Sequence, residues 1–281
     1  LCHLREYGGT TMHNISIDAG SIFSDLQKLR KNAPLIHNIT NFVATNSSAN
    51  ILLALGASPI MAHAQDELAE IAQISSALVI NIGTLDNAWI ASMQQAQQYA
   101  LQQKIPIILD PVGAGASTLR TQTAQMLVAN GIDIIRGNGS EIMALANYAM
   151  NTKGVDSSVM SEHAIIAAQQ LAKQYHCIVI VSGIDDFIID ENNIVKLSNG
   201  TPLLTKVTAM GCAASAIVAA FAAINRNYFV AAAHAMAMFT ITAEHAAKIA
   251  HGPGSFYINL LDKLHSLLAS ELSILRITNE D

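Results

Sequence analysis

The chain has 281 residues, 51% apolar and 13% charged, with mean hydropathy +0.34 and formal net charge −6. An average globular domain carries about 25% charged residues, so a membrane protein is the first class to test. The two longest apolar stretches, 211–224 and 229–239, fall short of the ~20 residues of a spanning helix, both are dominated by alanine, and the second contains His234. Net acidity, with no Lys/Arg cluster interleaved with aromatics, also argues against nucleic acid as a partner.

Residues 1–11 are polar and unpatterned and read as an unstructured extension ahead of a start at Met12. No linker divides 12–281, which read as a single domain. Cys2, Cys177 and Cys212 form no CxxC pair, which points away from a disulfide framework or zinc site and toward a reducing, cytoplasmic compartment. Strands are expected at 57–61, 77–82, 105–109, 132–135 and 178–181, with helices at 87–103, 121–130 and 162–175 between them. Continuous apolar runs such as IPIIL and CIVIV predict strands buried on both faces of a mainly parallel central sheet flanked by helices. A hairpin at 187–189 and 194–197 follows, and then a helical C-terminal third at 212–224, 228–251 and 256–271.

Ligands of open α/β sheets bind beyond the carboxyl ends of the strands, so polar residues directly after apolar runs are the candidates. Asp110, before the loop Pro111-Val112-Gly113-Ala114-Gly115, is placed to hold a Mg²⁺–phosphate unit; alternatively it only opens a turn. Arg136 and Glu141 flank a Gly-containing strand-to-helix corner, where they can share a nucleotide triphosphate or form a surface salt bridge. Ser182 follows a strand with a hydroxyl that can reach a phosphate. Lys206 to Cys212 lead into an alanine-rich helix, where free N–H groups form an anion site and are expected to depress the Cys212 pKa; alternatively Cys212 is a small buried apolar residue. The ten histidines show no HExxH spacing and read as structural, and the P-loop, GxSxG and GxGxxG patterns are absent.

Six blocks carry a resemblance: PLIHNITNFVATNSSANILLALGASPIM (34–61), INIGTL (80–85), ILDPVGAGAS (108–117), IRGNGSEIMAL (135–145), LLTKVTAMGCAASA (203–216) and GPGSF (252–256). In this order and spacing, over about 24–268, the chain resembles the hydroxyethylthiazole kinase family. The resemblance implies a ribokinase-like α/β fold and a homotrimer with active sites between subunits. It also implies Mg²⁺/ATP-dependent phosphorylation of 4-methyl-5-(2-hydroxyethyl)thiazole, a thiamine-salvage step. By position it implies that Met61 and Ala209 contact substrate, that Asn41, Arg136 and Ser182 serve ATP, and that Asp110 and Glu141 organise the metal. Met210, Gly211 and Cys212 fall at the anion hole and the transfer point. The low charge is then expected to reflect burial between subunits.

Two departures stand out. The family often reads T-G-[AT]-G-C where this chain has Thr208-Ala209-Met210-Gly211-Cys212, so a positive φ at Ala209 would be strained and Met210 is expected to add bulk at the site's mouth. Ser182-Gly183-Ile184 replaces a frequent Thr-Gly-Glu. The competing readings are a kinase for another heterocyclic alcohol such as hydroxymethylpyrimidine, a non-catalytic nucleotide- or thiazole-binding protein, and a thiol-nucleophile enzyme using Cys212.

Overall fold

The computed structural model describes residues 17–147 and 157–280; the expected extension 1–11 lies outside them. Two helices and a strand that the periodicity did not single out come first. Helix α1 (Ala19–Asn32) is opened by a reciprocal capping box between Asp18 and Ser21, and strand β1 (Leu35–Ile39) precedes α2 (Thr45–Leu55). β1 is broken in pattern by His37 and Asn38, both buried; His37 Nε2 bonds to the Ala62 carbonyl and Asn38 Nδ2 donates to the Ile36 carbonyl. The alternating units follow as β2 (Ser58–Ile60), α3 (Leu68–Ile74), β3 (Ala77–Asn81), α4 (Asn87–Gln103), β4 (Ile107–Asp110), α5 (Thr118–Ala129), β5 (Ile134–Asn138), α6 (Gly139–Leu145), α7 (Ser157–Tyr175) and β6 (Ile178–Ser182). The hairpin β7 (Asp186–Ile189) and β8 (Ile194–Leu197) leads to α8 (Met210–Ile224), α9 (Tyr228–Lys248) and α10 (Pro253–Ser266). A separate 3₁₀ turn, Ala269–Ile274, replaces the end of the expected last helix, and a final strand β9 (Ile277–Glu280) pairs antiparallel with β8. The sequence ITNE of β9 lacks an apolar alternation because three of its four residues face solvent.

Among the described residues the sheet runs β2-β1-β3-β4-β5-β6-β7-β8-β9, parallel from β2 to β6 and antiparallel beyond. Its strands bury both faces: Ile108 joins a core with α1, α2, α8, α9 and α10, whereas Ile107 and Leu109 join a second core with α3 to α7. Alternate pointing of side chains along a strand makes this division automatic. Helix α8 packs on β1, β3 and β4 as well as on α1, α2 and α9, and Ala216 to Ala222 are wholly buried. Alanine is what lets one helix approach so many elements. The chain's own fold thus already buries both alanine-rich helices, before any subunit contact is considered. No helix among the described residues is long and apolar enough to cross a membrane.

Candidate active site

The parallel strands end on a common edge where a polar chain runs from strand to strand. Asn81 and Asp110 are register partners at the ends of β3 and β4. Asn81 Nδ2 donates to Asp110 Oδ2 at 2.9 Å, and Ser215 Oγ, on the first turns of α8, donates to the same oxygen at 2.8 Å. From the turn after β1, Asn41 Nδ2 donates to Asn81 Oδ1 at 2.8 Å and lies 3.4 Å from Cys212 Sγ. Asn41, Asn81, Asp110 and Ser215 are all buried. A polar network inside an apolar core is tolerable only when its members pair with one another, and a fully paired network is rigid. Asn41 approaches so closely that a Cβ on Gly83 would stand 2.5 Å from its Nδ2, so only glycine fits there.

Burial pushes the Asp110 carboxyl up to about 6, against the pull of the Arg136 charge and the Ser215 hydrogen bond; Glu141 adds to the rise. Burial also pushes the Cys212 thiol up, with the Asp110 charge adding to it, and the Asn41 and Asn81 amides only partly offset this. The expected depression of this thiol is therefore overturned: loss of water and a neighbouring carboxylate outweigh the helix N-terminus. Cys212 stays protonated at neutral pH.

Arg136, on β5, lies against the start of α8; a Cβ on Gly211 would come within 2.7 Å of its Nη1. Its Nε is buried without a hydrogen-bond partner. Ala209 caps α8 with φ 66 and ψ 6, the left-handed conformation in which a residue other than glycine is strained, and contributes no side-chain cap. The N–H groups of the first turn therefore have no side-chain acceptor of the capping kind, beside an Arg136 guanidinium that makes no ion pair among the described residues. Met210 does not crowd the mouth of the site: it is buried in the core shared with α9, because the first turn of α8 aims it inward.

Glu141 is committed on both oxygens. Oε1 accepts from Gly113 N and Oε2 from Asn138 N, each at 2.9 Å, the latter completing a capping box with the Asn138 side chain. It ties the loop after β4 to the corner after β5 rather than forming a surface salt bridge. Ser182 ends β6 beside Asn138. Met61 stands apart, half-buried, just after the edge strand β2. Asn81, Ser215, Arg120 and Asp186 were not singled out from sequence, although a lone polar residue in an apolar strand or an alanine-rich helix marks the first two. Asp186, at the start of β7, is buried and pushed up to about 6 by that burial, with the Arg136 charge opposing.

The family model for the hydroxyethylthiazole kinase family matches residues 26–270. The chain belongs to the hydroxyethylthiazole kinase family. Among curated members, hydroxyethylthiazole kinase of Desulfotalea psychrophila is 47% identical over 262 residues, covering 93% of this chain and 95% of that protein. The enzyme of Syntrophus aciditrophicus is 48% identical over 261 residues, 92% of this chain and 97% of its own length. The solved hydroxyethylthiazole kinase of Pyrococcus horikoshii superposes with TM-score 0.86 at 37% identity, covering 93% of this chain and all of that one. A pyridoxal kinase from Staphylococcus aureus, at 14% identity and TM-score 0.58 over 75% of this chain and 87% of its own, shares the fold. The ribokinase-like α/β architecture read from the hydroxyethylthiazole kinase blocks is thus the observed one.

Proposed function

We propose that this protein transfers the γ-phosphoryl group of ATP to the hydroxyl of 4-methyl-5-(2-hydroxyethyl)thiazole, a step of thiamine salvage. The observation that carries this reading is the Arg136 guanidinium, without an ion pair among the described residues, laid on the start of α8 beside the Asp110 cluster, in a chain of this family. Phosphoryl transfer is largely a matter of alignment and charge stabilisation, and this corner offers both. Arg136 and the first N–H groups of α8, at Met210, Gly211 and Cys212, hold the transferring oxygens. Asn41 and Ser182 line the phosphate path. Ala209 and the main chain of Met61 contact the thiazole, and a neighbouring subunit completes the pocket.

A Mg²⁺ ion fits the donors present. Both protein donors to Asp110 fall on Oδ2, which leaves Oδ1 for a ligand, and Glu141 is close enough to raise its pKa. No group of three or more His, Cys, Asp or Glu side chains gathers among the described residues, and Mg²⁺ usually takes one or two carboxylates plus water and substrate phosphates. When bound, the ion neutralises phosphate charge. Asp110 would hold it, Glu141 fixes the loops after β4 and β5 beside it, and Asn81 and Ser215 keep the Asp110 carboxylate in place. The protonated Cys212 thiol marks the transfer point without acting as a base, so the proton of the attacking hydroxyl leaves late, to solvent.

We read 12–281 as one kinase domain, acting in the cytoplasm as a homotrimer. Exposed Phe42 and Val43, beside the turn that carries Asn41, support a subunit contact there. Incubation with Mg²⁺, ATP and either the thiazole or the pyrimidine alcohol, followed by mass spectrometry of the phosphate ester, tests the reaction. Thiazole phosphate is expected; pyrimidine phosphate alone would overturn the substrate. Thermal stabilisation by ligands without any product would make it a binding protein.

A further inference from the structure

Arg120, on the first turn of α5, points its guanidinium at backbone rather than at a carboxylate. Nη1 donates to the carbonyls of Ile82, at 2.9 Å, and Val112, at 2.7 Å, and Nη2 donates to the Gly83 carbonyl at 2.7 Å. Ile82 and Gly83 follow β3, and Val112 follows β4, so one side chain ties together the two loops that wall the candidate site. A planar fork of donors suits such a task; a lysine ammonium cannot reach three carbonyls in fixed directions. Among the described residues Arg120 makes no ion pair, so its charge is held by carbonyl dipoles alone.

Both loops lead directly to site residues. Gly83 abuts the Asn41 side chain, and its N–H donates to Asn81 Oδ1 at 3.0 Å, on the same oxygen that accepts from Asn41. Asn41 in turn reaches Cys212. On the other side, Gly113 follows Val112, rests against the Arg120 side chain, and donates its N–H to Glu141. Ser117, whose Oγ accepts from the Arg120 N–H, fixes the turn of α5 from which the fork is launched.

We propose that Arg120 is a positioning residue for phosphoryl transfer, clamping the loops after β3 and β4 so that Asn41 meets Cys212 and Glu141 meets Gly113. This rests on the site assignments above. A misplacement of about 1 Å remote from the reacting atoms costs up to ~100-fold in rate. The expected result for Arg120→Met, assayed on the full chain well below its melting temperature, is a kcat lower by roughly 10- to 100-fold with the KM for the thiazole alcohol unchanged. A merely stabilising contact would lower the melting temperature and leave kcat per folded molecule intact, and that result overturns the proposal.

A double-mutant cycle with Asn41→Ala supplies the second readout. If Arg120 acts through Asn41, the double variant loses less than the product of the two single losses; a full product overturns the link. Should Arg120→Met fail to fold, Arg120→Lys carries the test, with a similar kcat loss expected and wild-type kcat overturning it. Full activity in Asn41→Ala overturns the site assignments and this proposal with them. An inactive Asn41→Ala beside a fully active Arg120→Met overturns the proposal alone.

Discussion

Asn41 Nδ2 serves two acceptors at once, Asn81 Oδ1 at 2.8 Å and Cys212 Sγ at 3.4 Å, which joins the turn after β1 to the start of α8. The bond to sulfur lowers the thiol pKa, but burial and Asp110 raise it by more. The thiolate fraction of Cys212 at pH 7 is therefore below that of an ordinary cysteine. Iodoacetamide is expected to alkylate it more slowly than glutathione at pH 7, with the rate rising with pH and levelling off at a higher pH than for glutathione. Asn41→Ala slows alkylation further. Peptide-resolved mass spectrometry measures this, and fast labelling at neutral pH would revive the thiol-nucleophile reading.

Arg136 and Gly211 form a second pair that can be probed from both sides. Arg136→Ala removes the guanidinium, and Gly211→Ala places a methyl where Nη1 now lies. Charge-assisted hydrogen bonds contribute about 1.5–3 kcal/mol, so each variant is expected to lose roughly 10- to 100-fold in kcat/KM for ATP. Steady-state kinetics and circular dichroism should show a retained fold and little change in the KM for the alcohol.

At Ala209 the expected gain is in stability. Its φ of 66 places an L-residue in the left-handed region, at a cost of about 1–2 kcal/mol that glycine avoids. The greater freedom of unfolded glycine offsets part of this. Ala209→Gly should raise the melting temperature by about 2 °C in calorimetry, with activity equal or higher. A fall in both would mean that the methyl packs usefully against substrate.

Far from the site, Asp25 on α1 accepts from His234 Nδ1 and Asn225 Nδ2, each at 2.8 Å, and pairs with Lys28. Burial pushes this carboxyl up, but those hydrogen bonds outweigh it and hold it well below the usual range. Its stabilising contribution is complete above the unfolded value near 3.9 and is lost as pH falls from there toward the folded value. Asp25→Asn is expected to cost about 1.5–3 kcal/mol at pH 7, the contribution of hydrogen bonds to a charged group, and urea denaturation at a series of pH values should show the gap between variant and wild type closing in acid.

How much of this was legible beforehand depended on sequence distance. Asp110 and Ser182 each terminate an apolar run, and β4 and β6 do end on them. Arg136 reads as a strand end in the same way, but β5 runs on to Asn138 because its Gly137 and Asn138 still pair with β6, which leaves Arg136 mid-strand. Asn81 was hidden because a strand drawn to residue 82 absorbed it, and Ser215 because its helix reads as uniformly alanine. Arg120 and the Asp25–His234 pair were invisible for another reason: their partners are backbone carbonyls or lie 209 residues away, and neither leaves a local pattern. The Cys212 shift was misjudged because a helix N-terminus is a local signal, whereas burial and the charge of Asp110 come from the tertiary fold.

The burial of α8 against β1, β3 and β4 bears on how the chain is made. Those strands are all synthesised by residue 110, yet the helix that covers their inner face begins only at Met210. During translation the growing chain carries an uncovered apolar sheet for the length of about a hundred residues, the condition in which unfinished domains associate wrongly. The buried serine and the cysteine of the polar network then arrive together on one segment, so a truncated chain ending before α8 has Asn41, Asn81 and Asp110 at its strand ends but lacks the Ser215 and Cys212 partners that complete their network.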